Sequence, residues 1–394
     1  MAAKPQEPVQ ETLNRHVQPC KKGVRLIRKM LNWQMGLGVI LFLLMALLPR
    51  FQAGGNYLQT LSFWTLLYIS MSASWNILGG FAGQTSFGHS AFFGLGAYVT
   101  AILWLRGVPP LLTMPIAGLV ATVYSVLIGY PTLRLRGPYF AIATIGVGEA
   151  TRILMLNIDD LLKGSPLSFL LSKAGVFTGG ASGLPLPTPP NIRAYALSFY
   201  YGILVLTVVV LFVTVWVRSS KFGLGLFSIN MDPDAAETLG VNTARYKILA
   251  LMLSAFLVGI CGSVYAQYIF YIDPQTVFGF STSISLVLMP TIGGIGTIWG
   301  PVLGAIVYTV IQDRLSTARL MFAGQTIDLV RFNLLLYGGL LVLIILFEPK
   351  GIVGLIERIA RAIRGLVERL NRVIRNRTRS GGDTAAPAAG RVTL

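Results

Sequence analysis

The chain has 394 residues, of which 54% are hydrophobic and only 12% charged, whereas ordinary soluble domains carry roughly a quarter charged residues. This composition excludes an ordinary soluble domain and indicates a helical membrane protein, since a membrane barrel would show alternating segments of ~10 residues and none is visible. The net charge of +17 does not indicate nucleic-acid binding, because the basic residues lie between and after apolar segments, as positive cytoplasmic loops do.

A basic arm, residues 1–32, precedes the first apolar segment, which lacks a cleavage-like site and is therefore predicted to be a retained span. Ten segments approach the ~20 apolar residues that cross a bilayer. We therefore predict an all-α polytopic membrane protein with about ten transmembrane helices (8–11). The third, eighth and ninth spans are rich in Gly or Pro, and we expect them to be short, broken or re-entrant. The predicted spans are Trp33–Leu48, Leu58–Leu78, Phe87–Leu105, Leu111–Tyr130, Pro138–Leu156, Ala196–Val217, Lys247–Ile269, Ser281–Ile298, Trp299–Asp313 and Phe332–Phe347.

The distribution of basic residues predicts the orientation of the chain. With the N-terminus inside, the cytoplasmic pieces are 1–32, 131–137, 218–246 and 348–394. Together with Lys247 they hold 23 of the 32 Lys and Arg residues, and cytoplasmic loops carry such an excess. We expect a transmembrane domain over residues 33–347, with both termini in the cytoplasm.

Two further segments lie outside the predicted spans. The longest outer connection, 157–195, carries FTGGASGLPLPTPP, and its Gly and Pro residues predict turns and a rigid extended stretch. A loop of this length is often functional, although a passive connector is an equal alternative. Residues 348–379 show helical spacing of apolar residues with arginines between them, which predicts an amphipathic helix on the cytoplasmic membrane surface or on a partner subunit. Residues 380–394 are predicted to be disordered.

The hydrophilic stretch from Arg218 to Lys247 separates two strongly apolar segments. It contains a predicted short helix, because Asp232 is a good N-cap, Pro233 suits the first helical position and Gly240 is a natural left-handed stop. A helix of about two turns is marginal alone in water. We therefore expect a partner protein to dock on the cytoplasmic loop 218–246.

The sequence gives no indication of catalysis. It contains no nucleophile elbow, metal-ligand cluster or Walker motif, and the glycine-rich segment 293–300 lacks the Lys-Ser/Thr ending of a phosphate loop. The two cysteines, Cys20 and Cys261, suggest no disulfide, metal or thiol chemistry. We expect a chain that is not an enzyme and holds no cofactor or metal. If ATP drives its work, another polypeptide hydrolyses the ATP.

Glu149 is a candidate functional residue because it is charged and lies in the fifth predicted span, with Arg152 one turn further on. A charge at the bilayer centre costs at least ~2.5–3.5 kcal/mol on insertion scales. Either Glu149 lines a path through the membrane or fixes a helix that does, or it forms an ion pair near the outer interface.

Two glycine-rich segments, 79–98 and 289–305, supply the other candidates. Their glycines allow close helix approach or unwound backbone, and polar groups at this depth need partners. Each segment therefore either lines a path or packs tightly against another helix. The second segment could be the counterpart of the first in a repeated half. The candidate residues are Gln84, Ser86 and His89 in the first segment and Gly293 and Gly294 in the second.

Six segments occur in the chain in the order of a known family: GGFAGQTSFGHSAFFGLGAY at 79–98, LRLRGPYFAIATIGVGE at 133–149, TGGASGL at 178–184, DAAETLGVN at 234–242, GGIGTIWGPVLGA at 293–305 and FEPKGIVGL at 347–355. In these segments the chain resembles the permease subunits of bacterial ABC importers for branched-chain amino acids, of the LivM type. The resemblance covers roughly residues 36–355. The long basic arm and the tail beyond residue 355 exceed the common pattern of this family.

The resemblance implies a multi-pass permease of the type II ABC importer kind in the bacterial inner membrane, importing branched-chain amino acids by ATP-driven alternating access. The implied partners are two ATP-binding cassette subunits, a second permease subunit, related or identical, and a periplasmic substrate-binding protein. The family contacts its ATPase through a short helix with an EAA-like sequence, in which an alanine pair seats closely in a groove. In this chain, which has Asp in place of the first Glu, the helix maps onto Asp234, Ala235, Ala236, Glu237 and Gly240.

Three alternatives remain open at this point. A urea or short-chain amide permease is the nearest, since it belongs to the same family. An ion-coupled secondary transporter would work without an ATPase and would usually place carboxylates at the membrane midplane, where Glu149 is the one candidate. A membrane-bound enzyme is disfavoured because the sequence lacks a catalytic constellation.

The predicted orientation places the loop 157–195 outside. A topology reporter fused after Leu170 is therefore expected to show external activity, and the same reporter fused after Asp232 is expected to show cytoplasmic activity. A cytoplasmic signal after Leu170 would contradict this orientation.

Overall fold

The structure is a computed structural model that describes residues 56–162, 178–189 and 191–317, with short pieces at 319–322, 325–328 and within 335–358. The predicted arm 1–32, the first span Trp33–Leu48 and the tail 380–394 lie outside the described residues. The last span, Phe332–Phe347, is described only at isolated helical residues, and the surface helix 348–379 only at 351–356 and 358.

Helices make up most of the described residues, and each predicted span from the second to the ninth falls on one. Two short antiparallel pairs, β1 with β2 and β3 with β4, are exceptions to the all-α prediction. The helices are α1 (Asn56–Asn76), a π-helix (Ile77–Phe81), α2 (His89–Leu105), α3 (Pro110–Thr132), α4 (Pro138–Leu162), a 3₁₀ turn (Gly180–Ser182), α5 (Ile192–Ser219), α6 (Lys221–Met231), α7 (Pro233–Thr238), α8 (Thr243–Ile269), α9 (Pro274–Val277), α10 (Phe280–Gly293) and α11 (Trp299–Thr317). The strands are β1 (Leu184–Pro185), β2 (Tyr271–Ile272), β3 (Arg319–Phe322) and β4 (Gln325–Asp328).

Five of the described segments are long and apolar enough to cross a membrane: α3, most of α4, most of α5, α8, and α9 together with α10. The predicted third and eighth spans are shorter helices, of 17 residues in α2 and 14 in α10. The Gly and Pro residues at their ends explain the shortening. The described part of the chain is thus consistent with a polytopic membrane protein.

The bundle has two ends, which the course of α8 defines. This helix begins directly after α7 and ends directly before β2. We call these the α7 end and the distal end. Helix α4 connects them, because Arg136, just before it, forms an ion pair with Asp234 in α7, whereas Asp159 near its other end accepts hydrogen bonds from Thr178.

Helix α8 occupies the centre of the bundle and packs on α1, α2 and α3. Its backbone approaches that of α2 closely: an added Cβ at Gly262 would lie 2.0 Å from the carbonyl oxygen of Phe93, and one at Gly96 would lie 2.0 Å from that of Gly259. Lipid tails are as apolar as the helix surfaces, so membrane helices associate through such close approach of small residues. The glycines in the third predicted span therefore serve this packing.

Buried polar side chains cross-link the same helices. Thr100 Oγ1 donates to Ser263 Oγ at 2.6 Å. The Gln267 side-chain amide donates to the Pro110 carbonyl oxygen at 3.1 Å and lies 3.3 Å from Thr113 Oγ1. Because no water satisfies polar groups in an apolar interior, these bonds fix α8 against α2 and α3.

The distal loop, which is the predicted outer connection 157–195, is attached to the bundle where the structure describes it. Its described part contains turns and extended backbone, as its Gly and Pro residues predict. Thr178 donates through its backbone amide and its hydroxyl to Asp159 Oδ1, at 3.1 and 3.0 Å. After the 3₁₀ turn, Leu184 pairs with Ile272 in the short β1–β2 ladder. The described part of the loop, 178–189, is therefore attached to the distal ends of α4 and α8.

We predict that Gly262→Ala destabilises the protein by about 1–3 kcal/mol, because the added methyl group would meet main-chain atoms and force overpacking. Gly202→Ala is the matched control, since Gly202 also lies within a helix but has no atom within 4 Å of an added Cβ. The measurement is the thermal midpoint of both variants in detergent. Equal midpoints for the two would contradict the packing of α2 on α8.

Candidate functional site

Helix α7 begins at the residues that its sequence predicts. The carboxylate Oδ1 of Asp232 accepts hydrogen bonds from the backbone amides of Asp234 and Ala235, at 2.9 and 3.1 Å. Pro233 occupies the first helical position, where its missing amide hydrogen leaves no bond unmade. The predicted N-cap is therefore confirmed.

The other end of α7 is closed by a left-handed glycine. Gly240 has φ +85°, a conformation that residues with a side chain rarely adopt. Its amide donates to the Glu237 carbonyl oxygen at 2.9 Å, and the Val241 amide donates to that of Ala236 at 3.0 Å. These two bonds are the Schellman pattern, which satisfies the last carbonyl groups of a helix. The predicted stop at Gly240 is confirmed.

The chain itself fixes the position of α7. Asp234 forms a bidentate ion pair with Arg136 at 3.1 and 3.3 Å, and Glu237 accepts a hydrogen bond from the Thr243 hydroxyl. Ala236 is only 1% exposed and faces the interior of this chain, whereas Ala235 is exposed. Of the two alanines, Ala236 therefore packs within the chain, and Ala235 lies on the exposed surface.

Two large apolar side chains flank α7 and face outward. Met231 is 90% exposed and Leu239 is 82% exposed, the largest fractions among the large apolar residues that the structure describes. Both belong to the connection between α5 and α8, outside the described segments that are long and apolar enough to cross a membrane. Neighbouring exposed apolar groups rimmed by polar residues are typical of protein contact sites.

The second part of the site centres on Asn76, a buried residue at the end of α1. Its Oδ1 accepts from the backbone amide of Gly296 at 2.9 Å, and its Nδ2 donates to the carbonyl oxygen of Thr297 at 2.9 Å. Loop 294–298 connects α10 to α11. An added Cβ at Gly296 would also lie 3.1 Å from the Gly80 carbonyl oxygen, so the two glycine-rich segments, 79–98 and 289–305, are in direct contact.

The π-helix connects this contact to α7. An added Cβ at Gly80 would lie 2.0 Å from Asn76 Oδ1 and 2.7 Å from the Gly296 amide, so only glycine fits there. The Gly80 carbonyl oxygen accepts a hydrogen bond from Asn230 Nδ2 at 3.1 Å. Asn230 is the second residue before Asp232, the cap of α7. Hydrogen bonds and close packing at Gly80 thus connect the residues just before α7 with loop 294–298.

Gly293 and Gly294 form the turn that ends α10. An added Cβ at Gly293 would lie 1.7 Å from the Gly300 carbonyl oxygen, so the turn is closed by backbone contact. A Cβ at Gly351, in the segment 347–355 that resembles the family, would lie 2.5 Å from the Gly294 amide nitrogen. Both predicted glycines therefore support tight packing at the α7 end.

His89 and Ser86 form a buried network at the start of α2. Ser254 Oγ donates to the Ser74 carbonyl oxygen at 2.8 Å and lies 2.9 Å from His89 Nε2. We assign the Nε2–H tautomer on this basis, with Nδ1 accepting from Ser86 Oγ at 3.0 Å. Both ring nitrogens are used within the chain, which favours a packing role. Gln84 is half-buried in the irregular backbone before α2, and its backbone amide donates to the Leu78 carbonyl oxygen at 3.2 Å.

Glu149 pairs with Arg152 through two hydrogen bonds, at 2.5 and 3.0 Å. Arg152 Nη1 also donates to Gln275 Oε1 at 2.7 Å, which ties α4 to α9 at the distal end. This arrangement matches the ion-pair alternative for Glu149. Glu149 therefore lies at the distal end and not beside Asn76 or α7.

Sequence reasoning missed Asn76 and Asn230. Each has an uncharged side-chain amide and lies in an apolar or glycine-rich run. Such a side chain can donate to and accept from backbone groups that regular helices leave unpaired, and this was the signal available in the sequence. Among the described residues, no group of three or more His, Cys, Asp or Glu side chains could hold a metal ion.

Comparisons with known proteins identify the family. The model of the family described as "Branched-chain amino acid transport system / permease component" matches residues 57–345. The chain is 29% identical to the high-affinity branched-chain amino acid transport system permease protein LivM of Escherichia coli K12, over 73% of this chain and 68% of that protein.

Two other relatives show the range of the similarity. The high-affinity branched-chain amino acid transport system permease protein LivH of Escherichia coli K12 is 25% identical over 73% of this chain and 91% of its own length. The fructose import permease protein FruG of Bifidobacterium longum is 26% identical over 74% of this chain and 85% of its own length. No solved structure matches the chain. The resemblance seen in the six sequence segments is confirmed, and the chain belongs to the family of branched-chain amino acid transport system permease components.

Proposed function

We propose that the chain is a membrane-spanning subunit of an ATP-driven importer for branched-chain amino acids in the bacterial inner membrane. Its partners are two ATP-binding cassette subunits, a second permease subunit and a periplasmic substrate-binding protein. The family match across 57–345 is the observation that carries the proposal. The chain is a transport subunit and leaves ATP hydrolysis to its partners.

The geometry around α7 supports the contact with the ATPase. Helix α7 is closed at both ends and fixed on the bundle, so it presents a defined surface that includes Ala235, Met231 and Leu239. A partner that moves this surface acts on Asn230 and, through Gly80, on the irregular backbone between α1 and α2. This route supports alternating access driven from the α7 end.

The arrangement at Glu149 disfavours an ion-coupled secondary transporter. The carboxylate is already compensated by Arg152 and lies at the distal end, whereas ion-coupled carriers usually place a carboxylate at the membrane midplane. A sugar is the second candidate substrate, because FruG, a fructose import permease, covers the same region.

Reconstitution in proteoliposomes with the presumed partners tests the proposal. We expect uptake of leucine, isoleucine and valine with ATP and none with an ion gradient alone. Uptake driven by the gradient alone would discard the ATP-driven function. Uptake of fructose or urea in place of the amino acids would change the substrate class.

Leu239→Asp tests the ATPase contact. We expect insertion and folding to be retained and ATP-driven uptake to fall about tenfold or more, because a charge would replace an exposed apolar contact at a protein interface. Leu105→Asp is the matched control: Leu105 is a leucine, 48% exposed, at the end of α2 away from α7. The measurements are uptake and ATPase stimulation in the same assembly. Unchanged uptake in Leu239→Asp would count against α7 as the contact.

A further inference from the structure

A partly open cavity of about 260 Å³ lies toward the distal end of the bundle, lined by α1, α2 and α8 on one side and by α9, α10 and α11 on the other. Drug-sized ligands occupy cavities of roughly 300–1,000 Å³, so this one suits a smaller molecule. An adjoining cavity of about 250 Å³ shares Trp64, Tyr68 and Gln312 with it. The pair lies at the opposite end of the bundle from α7.

One wall of the cavity is apolar. Leu67 and Met71 from α1 and Phe93 from α2 line it, next to Tyr265 of α8. The ring of Phe93 lies edge-on to that of Tyr265 at 5.2 Å. Leu67 and Met71 are buried. Such a surface accommodates a branched aliphatic side chain and offers few hydrogen bonds to a polyol.

A second wall carries groups that suit an ammonium ion. Gln312 Oε1 is a buried acceptor that has no hydrogen-bond partner among the described residues, and an unpaired buried polar atom is costly. The rings of Trp64 and Tyr68, 5.7 Å apart, line the cavity beside it, and aromatic faces attract cations. Rotation of the Gln312 side-chain amide toward the cavity would let this oxygen accept a hydrogen bond from an ammonium group there.

The first turn of α10 forms a third wall. Ser281 belongs to this turn and contributes to the lining, and the N-terminal end of a helix favours negative charge. Tyr308 on α11 lies 2.7 Å from the Ser285 hydroxyl and fixes α10 against α11. The cavity thus combines an anion-favouring edge, a cation-favouring edge and an apolar wall.

We propose that this cavity binds one zwitterionic aliphatic amino acid during transport, with its ammonium group at Gln312 and the Trp64–Tyr68 pair, its carboxylate at Ser281 and its side chain against Leu67. The proposal rests on the proposed function and adds a binding site within this subunit. The distal position suits a substrate that arrives at the end opposite the ATPase contact.

Cysteine protection tests the site in the assembled transporter in nanodiscs, with Cys20→Ser as the background. Cys261 is buried and stays in place. Thr276→Cys and Thr282→Cys place thiols in the cavity lining, and Ser182→Cys places a control thiol on the exposed distal loop. We expect leucine at about ten times its half-saturating concentration to slow methanethiosulfonate labelling of both cavity thiols about tenfold by mass action, and to leave the control unchanged.

Variants of Gln312 test the recognition of the ammonium group. Gln312→Leu is expected to raise the leucine concentration for half-protection about tenfold or more, since a hydrogen bond to a charged group is lost. Gln312→Glu keeps an acceptor oxygen and is expected to retain protection. The comparison of the two variants distinguishes loss of the hydrogen bond from general misfolding. Gln59→Leu is the matched control, because Gln59 is a half-buried glutamine of α1 outside the cavity lining.

The outcomes separate this proposal from the proposed function. Leucine uptake by the parent assembly, measured in parallel, reports on the function alone. With uptake intact, labelling that leucine does not slow, or cavity thiols that no reagent reaches, overturns the site and leaves the function standing. Protection by fructose or urea but not by leucine overturns the amino-acid chemistry. Absence of uptake overturns both.

Discussion

The irregular backbone at the α7 end depends on one buried amide. Backbone groups outside regular helices cannot stay unpaired in an apolar surrounding. Asn76 supplies both a donor and an acceptor to loop 294–298, directly where α1 gives way to the π-helix. Since π-helices are frequent at functional sites, the position of this irregularity next to Asn230 connects it with α7, the helix that we propose binds the partner. Loss of the amide would leave main-chain groups of the loop unsatisfied.

The two proposed contact points lie at opposite ends of the same helices. Helix α1 carries Trp64 and Tyr68 in the cavity wall and Asn76 at its other end, and α10 likewise extends from Ser281 to the Gly293 turn. The proposed substrate cavity and the proposed ATPase surface are thus joined by shared helices. Coupling between distant sites needs such continuous packed elements, and here they are two helices held together at Asn76.

Much of the fold followed from the sequence because its determinants are local. Apolar runs located the spans from the second to the ninth, and Asp232 and Gly240 set the ends of α7 through bonds to residues within four positions. The contact between the two glycine-rich segments, the β1–β2 pairing and the inward direction of Ala236 did not follow. Each depends on contacts between residues that are far apart in the chain. Composition alone does not predict which glycine packs against which segment of backbone.

The backbone contacts of the glycines also decide how these helices tolerate change during evolution. At Gly262 and Gly96 the nearest atoms to an added Cβ belong to the main chain of the neighbouring helix, which every residue type shares. A smaller side chain opposite therefore creates no room, and no second-site substitution in the facing helix compensates for the first. We therefore expect relatives to retain the crossing of α2 and α8 as a unit and to differ mainly at the helix faces that side chains occupy.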